Sequence, residues 1–331
     1  MMKSLIKQVI LPTIASMCPT ARWINLTEQR LIHVFYHTVS DEYLLHIHPL
    51  YRPKTIDEFM KDLNFLLQYF KPIDAEEVIK HYLQGQPITQ PSFHLSFDDG
   101  LSEIYHHVFP ILYKKGISAT LFINSAFVDN KALFYRYKIA LIIDKIQNKS
   151  FTLATSSKIH SILELAQIKG KNWKDQLLRV NYYQQSVLDE IAQVLDINFN
   201  LFLQKQRPYL TLSELKELQN KGFTIGAHSV DHPPFSILDE KEQIRQTVES
   251  CQFVQTHLSE KNRLFAFPFS DMKVQPSFFN SIHSQIDITF GISGIKKAEY
   301  QGKHLHRIDM ERGDKSARRC INSCYMTYYL L

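Results

Sequence analysis

The chain reads as an α/β protein built on a parallel sheet, and three observations predict it. Apolar runs of strand length recur along the sequence. Amphipathic helical stretches alternate with them, and two of the runs end abruptly in clusters of carboxylate or imidazole side chains. Alternation of this kind argues for βα units feeding one sheet. The spacing fits a barrel and an open sheet equally.

Residues 31–39 form the first apolar run. Residues 56–70 follow as a helix, with Ile56, Phe59, Met60, Leu63, Leu66, Leu67 and Phe70 at helical spacing and Thr55 as its N-cap. A strand at 93–97, a helix at 102–115 and a strand at 118–124 continue the alternation. Between Asp129 and about Pro208 the rhythm breaks. Ala132–Gln147 and Asp175–Leu195 keep helical spacing there, so a mostly helical insertion is expected. Its aromatic side chains (Phe134, Tyr135, Tyr137, Trp173, Tyr182, Tyr183) suit a small core of its own better than a sugar-stacking lid, because buried rings dominate cores. The alternation resumes with a helix at 212–221, a strand at 223–227, a helix at 240–258, a strand at 263–267, a helix at 275–283 and a strand at 287–292. The expected organisation is an N-terminal extension, 1–30, and a body, 31–331, interrupted by the insertion at about 130–208.

At 331 residues, with 44% hydrophobic and 21% charged side chains, the composition is that of a globular protein with a sizeable core. The net charge of +5 is mild and spread out, and no nucleic-acid motif accompanies it, so a nucleic-acid partner is not expected. A basic stretch over 296–319 is interrupted by Glu299, Asp309, Glu311 and Asp314, as on a solvated surface. Cys18, Cys251, Cys320 and Cys324 are too scattered for a disulfide framework, and free thiols are expected. Residues 1–17 make a poor signal peptide, since Pro12 interrupts a short apolar stretch, and no run approaches the length of a membrane span. A cytoplasmic or peripheral membrane location is the expectation.

Two segments carry chemistry. The run Phe93–Phe97 ends in Asp98, Asp99 and Gly100. Neighbouring carboxylates on a strand face opposite ways, so one can bind a metal while the other stays free to take a proton. A bound cation would offset the repulsion between them. A plain strand-to-turn junction would use the same residue types. The run Phe223–Ala227 ends in His228-x-x-x-His232, and two imidazoles four apart suit capture of a borderline metal. With one Asp they would give three protein ligands and an open coordination position, as catalytic sites have. In a chain with 15 histidines, a pair of surface imidazoles would look the same.

Ser96-Phe97-Asp98-Asp99-Gly100, Phe109-Pro110-Ile111-Leu112, Gly116–Ile123 and Gly226–His232, taken in that order, resemble the polysaccharide deacetylases of the NodB-homology type (carbohydrate esterase family 4). Val34–Ser40 and Phe265–Phe269 add to the resemblance, which spans roughly 30–310. It implies a distorted, incomplete (β/α) barrel, TIM-barrel-like, with the site at the C-terminal strand ends. It also implies metal ligation by Asp99, His228 and His232, with Asp98 as the general base toward a metal-bound water. The substrate implied is an N-acetylated, or O-acetylated, surface or capsular glycan or its precursor. Zinc is the chemical default for two imidazoles and one carboxylate.

The remaining family motifs depart from the pattern. Where relatives carry an arginine that orients the base, this chain has Ala266, with Arg263 nearby. No tryptophan stands at the fourth motif, since Trp23 and Trp173 lie elsewhere. For the histidine that protonates the leaving amine, His304 and His306 share one strand face, and His306 is taken as the acid. Asp271 or Asp287 could tune it, or serve as turn or cap residues. His37 could line the cleft, His106 and His107 look peripheral, and His46 and His48 fit no ligand set. Two rival functions stand beside the deacetylase: a glycan-binding or scaffold protein without turnover, and a metal-dependent amidohydrolase of a small non-sugar amide.

Overall fold

A computed structural model describes residues 13, 15, 17–311 and 315–331. Most of the stretch weighed above as a leader, and Arg312 and Asp314 of the basic segment, lie outside them. The chain divides into two compact units: Met1–Asp41 with Lys54–Val128 and Tyr209–Leu331, and Glu42–Pro53 with Asp129–Pro208.

The first unit is a nearly closed barrel of parallel strands. Its strands are β1 (Leu31–Tyr36), β2 (Lys71–Ile73), β3 (Ser92–Phe97), β4 (Thr120–Ile123), β5 (Thr224–Ala227), β6 (Leu264–Ala266), β7 (Ile288–Gly291), β8 (His304–His306) and β9 (Ile308–Asp309). They pair in the order β8-β7-β6-β5-β4-β3-β1-β9. Only Arg307 separates β8, paired with β7, from β9, paired with β1. One bent stretch of six residues therefore closes the ring. The distortion comes from β2, which pairs with Ser92–His94 on the edge whose upper part, Ser96–Phe97, serves β4.

Strand alternation sorts the side chains into two layers. Phe122, Leu264, Ala266, Ile288, Phe290 and Leu305 pack together inside the ring. The outward rings Tyr36 and Phe97 meet Phe59 of the helix Ile56–Tyr69, and Phe265 and Phe267 meet Phe235 and Phe278. The helix Ile56–Tyr69 starts where expected: Thr55 Oγ1 accepts from Glu58 N at 3.2 Å, while Glu58 Oε2 accepts from Thr55 N at 2.9 Å.

The helix expected over 102–115 is instead a π-helical turn, Ile104–Val108, followed by an α-helix, Phe109–Lys114. Pro110 has no N–H to donate into an unbroken α-helical ladder, which accounts for the change of winding before it. A helix at Ala75–Gln84, capped by Asp74 and closed by Gly85 at φ 72°, and another at Ala317–Leu330 were not anticipated.

The second unit is helical, with helices at Tyr135–Asn148, Leu153–Leu165, Trp173–Leu178, Ser186–Val194 and Phe199–Gln206. Phe134, Tyr135 and Tyr137 are buried and pack edge to face, as expected of a private core, while Tyr183 is 66% exposed. The single helix expected over 175–195 is broken near Asn181, whose side chain caps a short 3₁₀ turn. His46 is buried against Tyr137 and Phe202. The four cysteines are free thiols. Among the described residues, no helix is long and apolar enough to cross a membrane.

Candidate active site

The site sits at the C-terminal tips of β3 and β5. Inward alternation along β3 continues His94, Ser96, Asp98, so Asp98 points into the mouth of the ring. Asp99 would face outward, but its backbone turns into the left-handed region at φ 71° and redirects its carboxylate. The same device recurs after β5, where Ser229 and His232 take φ of 72° and 61°. Left-handed non-glycine residues are costly and gather where surrounding structure enforces them.

These turns bring Asp99 Oδ1 to 3.5 Å from His228 Nε2 and 3.1 Å from His232 Nε2. One ligand atom from each of the three residues lies within 4.8 Å of the others, and all three residues are buried. His228 Nδ1 donates to the Ala266 carbonyl at 2.8 Å, which presents Nε2 to the site. Asn124 donates to the His228 carbonyl, and Ser229 Oγ accepts from His232 N at 3.0 Å. Gln246 braces the intervening loop, accepting from Val230 N and donating to Asp231. One carboxylate and two imidazoles, buried and converging, fit a borderline divalent ion.

Electrostatics favour ligation. Burial drives the His228 pKa down to about 4, against the opposing pull of Asp98 and Asp99, so its ring is neutral at physiological pH. Burial would raise the pKa of Asp99, but His232, His37 and His228 outweigh it and hold the carboxyl ionised. For Asp98, burial is again outweighed, chiefly by Arg307, then by His228.

Arg307 is the residue that sequence reasoning missed. Its guanidinium makes a two-pronged salt bridge to Asp98, Nη1 to Oδ1 at 2.7 Å and Nη2 to Oδ2 at 2.8 Å, and Nη1 also reaches Ser96 Oγ at 3.1 Å. It is fully buried, lying over the rings of Phe35, at 4.4 Å from the ring centre, Phe122 and Phe290. A signal was available. Alternation that puts His304 and His306 on one face puts Leu305 and Arg307 on the other, between apolar neighbours, where a buried arginine needs a carboxylate. Arg263, the nearby arginine considered for this position, pairs instead with Asp287 at 2.8 Å. The aligned position, Ala266, contributes its carbonyl to His228.

His306 lies apart from these four residues in its contacts. Its Nε2 is 3.1 Å from Glu299 Oε2, its ring centre is 4.6 Å from that of His304, and Nδ1 is 4.0 Å from Asp271 Oδ2. His37 stands at the tip of β1, with Nδ1 2.5 Å from Glu311 Oε2. Burial alone would lower its pKa, but Glu311, Asp99 and Asp98 raise it to about 10. His106 and His107 sit on the π-helical turn.

A parallel barrel with its charged groups gathered at the strand tips has the layout of a barrel enzyme. Residues 85–278, more than half of the chain, match the polysaccharide deacetylase family, and the chain belongs to it. Membership of that family makes the chain a deacetylase, a hydrolase acting on carbon–nitrogen bonds. The fold is similar to that of Streptococcus pyogenes deacetylase PplD in complex with acetate, at a TM-score of 0.58 and 13% identity over 89% of this chain and 97% of that one. It is also similar to IcaB from Ammonifex degensii, at 0.56 and 14% over 89% and 97%. A de-N-acetylase from Aggregatibacter actinomycetemcomitans aligns at 0.52 and 14% over 86% and 96%. No curated protein matches the sequence.

Proposed function

We propose that this chain is a metal-dependent deacetylase that removes N-acetyl groups, or O-acetyl groups by the same machinery, from a surface or capsular polysaccharide or its precursor. The observation that carries the reading is the convergence of Asp99, His228 and His232 beside Asp98, a carboxylate clamped by Arg307. Asp99, His228 and His232 would hold the ion, with zinc favoured by the donor set. A divalent ion there supplies Lewis acidity toward the acetyl carbonyl and lowers the pKa of a water molecule.

The protein's own groups do the rest. Asp98 accepts the water's proton, and its two-pronged contact with Arg307 fixes which way its oxygens point and keeps it ionised. The departing amine needs a proton. His306 was the histidine expected to give it, but its contacts are with Asp271, Glu299 and His304. His37 is better supported for that role: it is cationic, anchored by Glu311, and its charge acts on both Asp98 and Asp99. The non-catalytic rival drew on a missing arginine, and Arg307 weakens that support.

The test is acetate release from N-acetylated and O-acetylated oligosaccharides by zinc-loaded protein, with Asp98→Asn as control. The variant is expected to keep its metal and its glycan affinity while turnover falls by about 10²–10⁴. Metal-loaded wild-type protein that releases no acetate from any such glycan refutes the reading. A faster reaction on small amides than on longer oligosaccharides moves it to a different amidohydrolase.

A further inference from the structure

We propose that Asp271, His304 and His306 form a second divalent-cation site, on the outer face of the barrel wall, suited to zinc or another borderline first-row ion. Leu305 and Arg307 point into the ring, so alternation places His304 and His306 on the opposite side of the same strand. There they meet Asp271, from the loop that follows β6. His304 Nε2 is 3.4 Å from Asp271 Oδ2, and one ligand atom from each of the three residues lies within 4.8 Å of the others.

The second nitrogens of both rings are engaged away from the cluster. His306 Nε2 faces Glu299 Oε2 at 3.1 Å, and His304 Nδ1 faces Thr289 Oγ1 at 2.8 Å. Glu299 accepts the Nε2 proton of His306, which leaves the Nδ1 lone pair turned toward the Asp271 carboxylate. That nitrogen has no hydrogen-bond partner, in a residue only 4% exposed. A lone pair opposite an anion is repulsive until a cation lies between them, and a carboxylate behind the outer nitrogen is the arrangement that orients metal-binding histidines. Gly291, in register with His306, keeps the space open. A Cβ there would stand 2.6 Å from Asp271 Oδ1 and 2.9 Å from His306 Nδ1.

A cation in this position would clamp the β6 loop to β8. The same loop carries Phe269, whose ring centre is 4.8 Å from that of His232. The second site would thereby stiffen one wall of the first.

The experiment is a titration of metal-stripped full-length protein with Zn²⁺ and Co²⁺, read by intact mass under native conditions and by Co²⁺ absorption. Wild type should take two ions, His304→Gln one, His232→Gln one, and the double variant none. Two results overturn the proposal: a wild-type stoichiometry that His304→Gln leaves unchanged, or a second ion acquired only at millimolar metal. Failure of the first centre gives a different pattern, one ion lost in His304→Gln and retained in His232→Gln. If His304→Gln does not fold, Asp271→Asn in the His232→Gln background replaces it. Zinc should raise the thermal midpoint of His232→Gln, and Asp271→Asn should abolish that rise; a rise that persists overturns the site.

Discussion

Replacing Arg307 by methionine, which keeps much of the apolar stem, isolates the value of the Arg307–Asp98 clamp. The two N–O distances of 2.7 and 2.8 Å put the charge centres about 4 Å apart, worth about 4 kcal/mol at an effective dielectric of about 20. The variant leaves Asp98, only 2% exposed, without its main counter-charge. Removing one partner of a buried pair typically destabilises by about 3–5 kcal/mol, which agrees with the Coulombic figure. The sign of the pH effect follows. Arg307 is the chief group holding the Asp98 pKa down, against burial, so its loss moves the acidic limb of the activity profile to higher pH. The assay is denaturant unfolding together with the pH profile of acetate release, on variant and wild type at equal metal content. Arg307→Lys should recover part of the stability but not the two-pronged geometry, and so less of the turnover. Unchanged stability with an unmoved acidic limb would refute the clamp.

Three further outcomes are expected. Glu311→Gln should lower the pKa of His37 from about 10, read by NMR titration of its ring; unaltered titration rejects Glu311 as its anchor. His37 binds its proton more tightly folded than unfolded. Its stabilisation is therefore complete below about 6.5 and lost as pH rises toward 10, and the variant should show a weaker alkaline decline. The metal-free protein should also lose stability as pH falls from about 6.5 toward 4, because buried His228 and His94, with pKa values of about 4 and about 3, take up protons only on unfolding. A flat profile between pH 7 and 5 contradicts that, and His94→Gln should shallow the slope. Finally, Gly226→Ala would put a Cβ 2.5 Å from the Phe122 ring, which lies under Arg307. The expected cost is about 1–3 kcal/mol by denaturation, with reduced turnover; a neutral variant shows that the ring can yield.

The parts legible in the sequence were those whose signals are local. The strands at 93–97 and 223–227 announced themselves because an apolar run stops at a cluster of ligand-type side chains within a few residues. Thr55 was legible as a cap because it stands directly before the periodic apolar run that opens at Ile56. Arg307 was not, since its partner Asp98 lies 209 positions earlier and only barrel closure brings them together. The strands at 71–73 and 308–309 span three and two residues, too few to display a period. Reading 102–115 and 175–195 as unbroken helices overlooked two local facts, the missing N–H of Pro110 and the capping competence of Asn181. Strand periodicity shows that His304 and His306 share a face but not whether that face is the inner one, so it could not choose a proton donor between them.

The closure of the ring has a consequence for biosynthesis. Asp98, Asp99, His228 and His232 are all translated by residue 232, yet the arginine that holds Asp98 arrives only with residue 307. A nascent chain at that intermediate length has a buried-to-be carboxylate and no counter-charge for it, so the barrel mouth is electrostatically unfinished. Insertion of the last strand completes the wall and pairs Asp98 with its counter-charge in one event. A chain that stops short of the last strand therefore lacks the counter-charge for Asp98, whatever else of the barrel it has built.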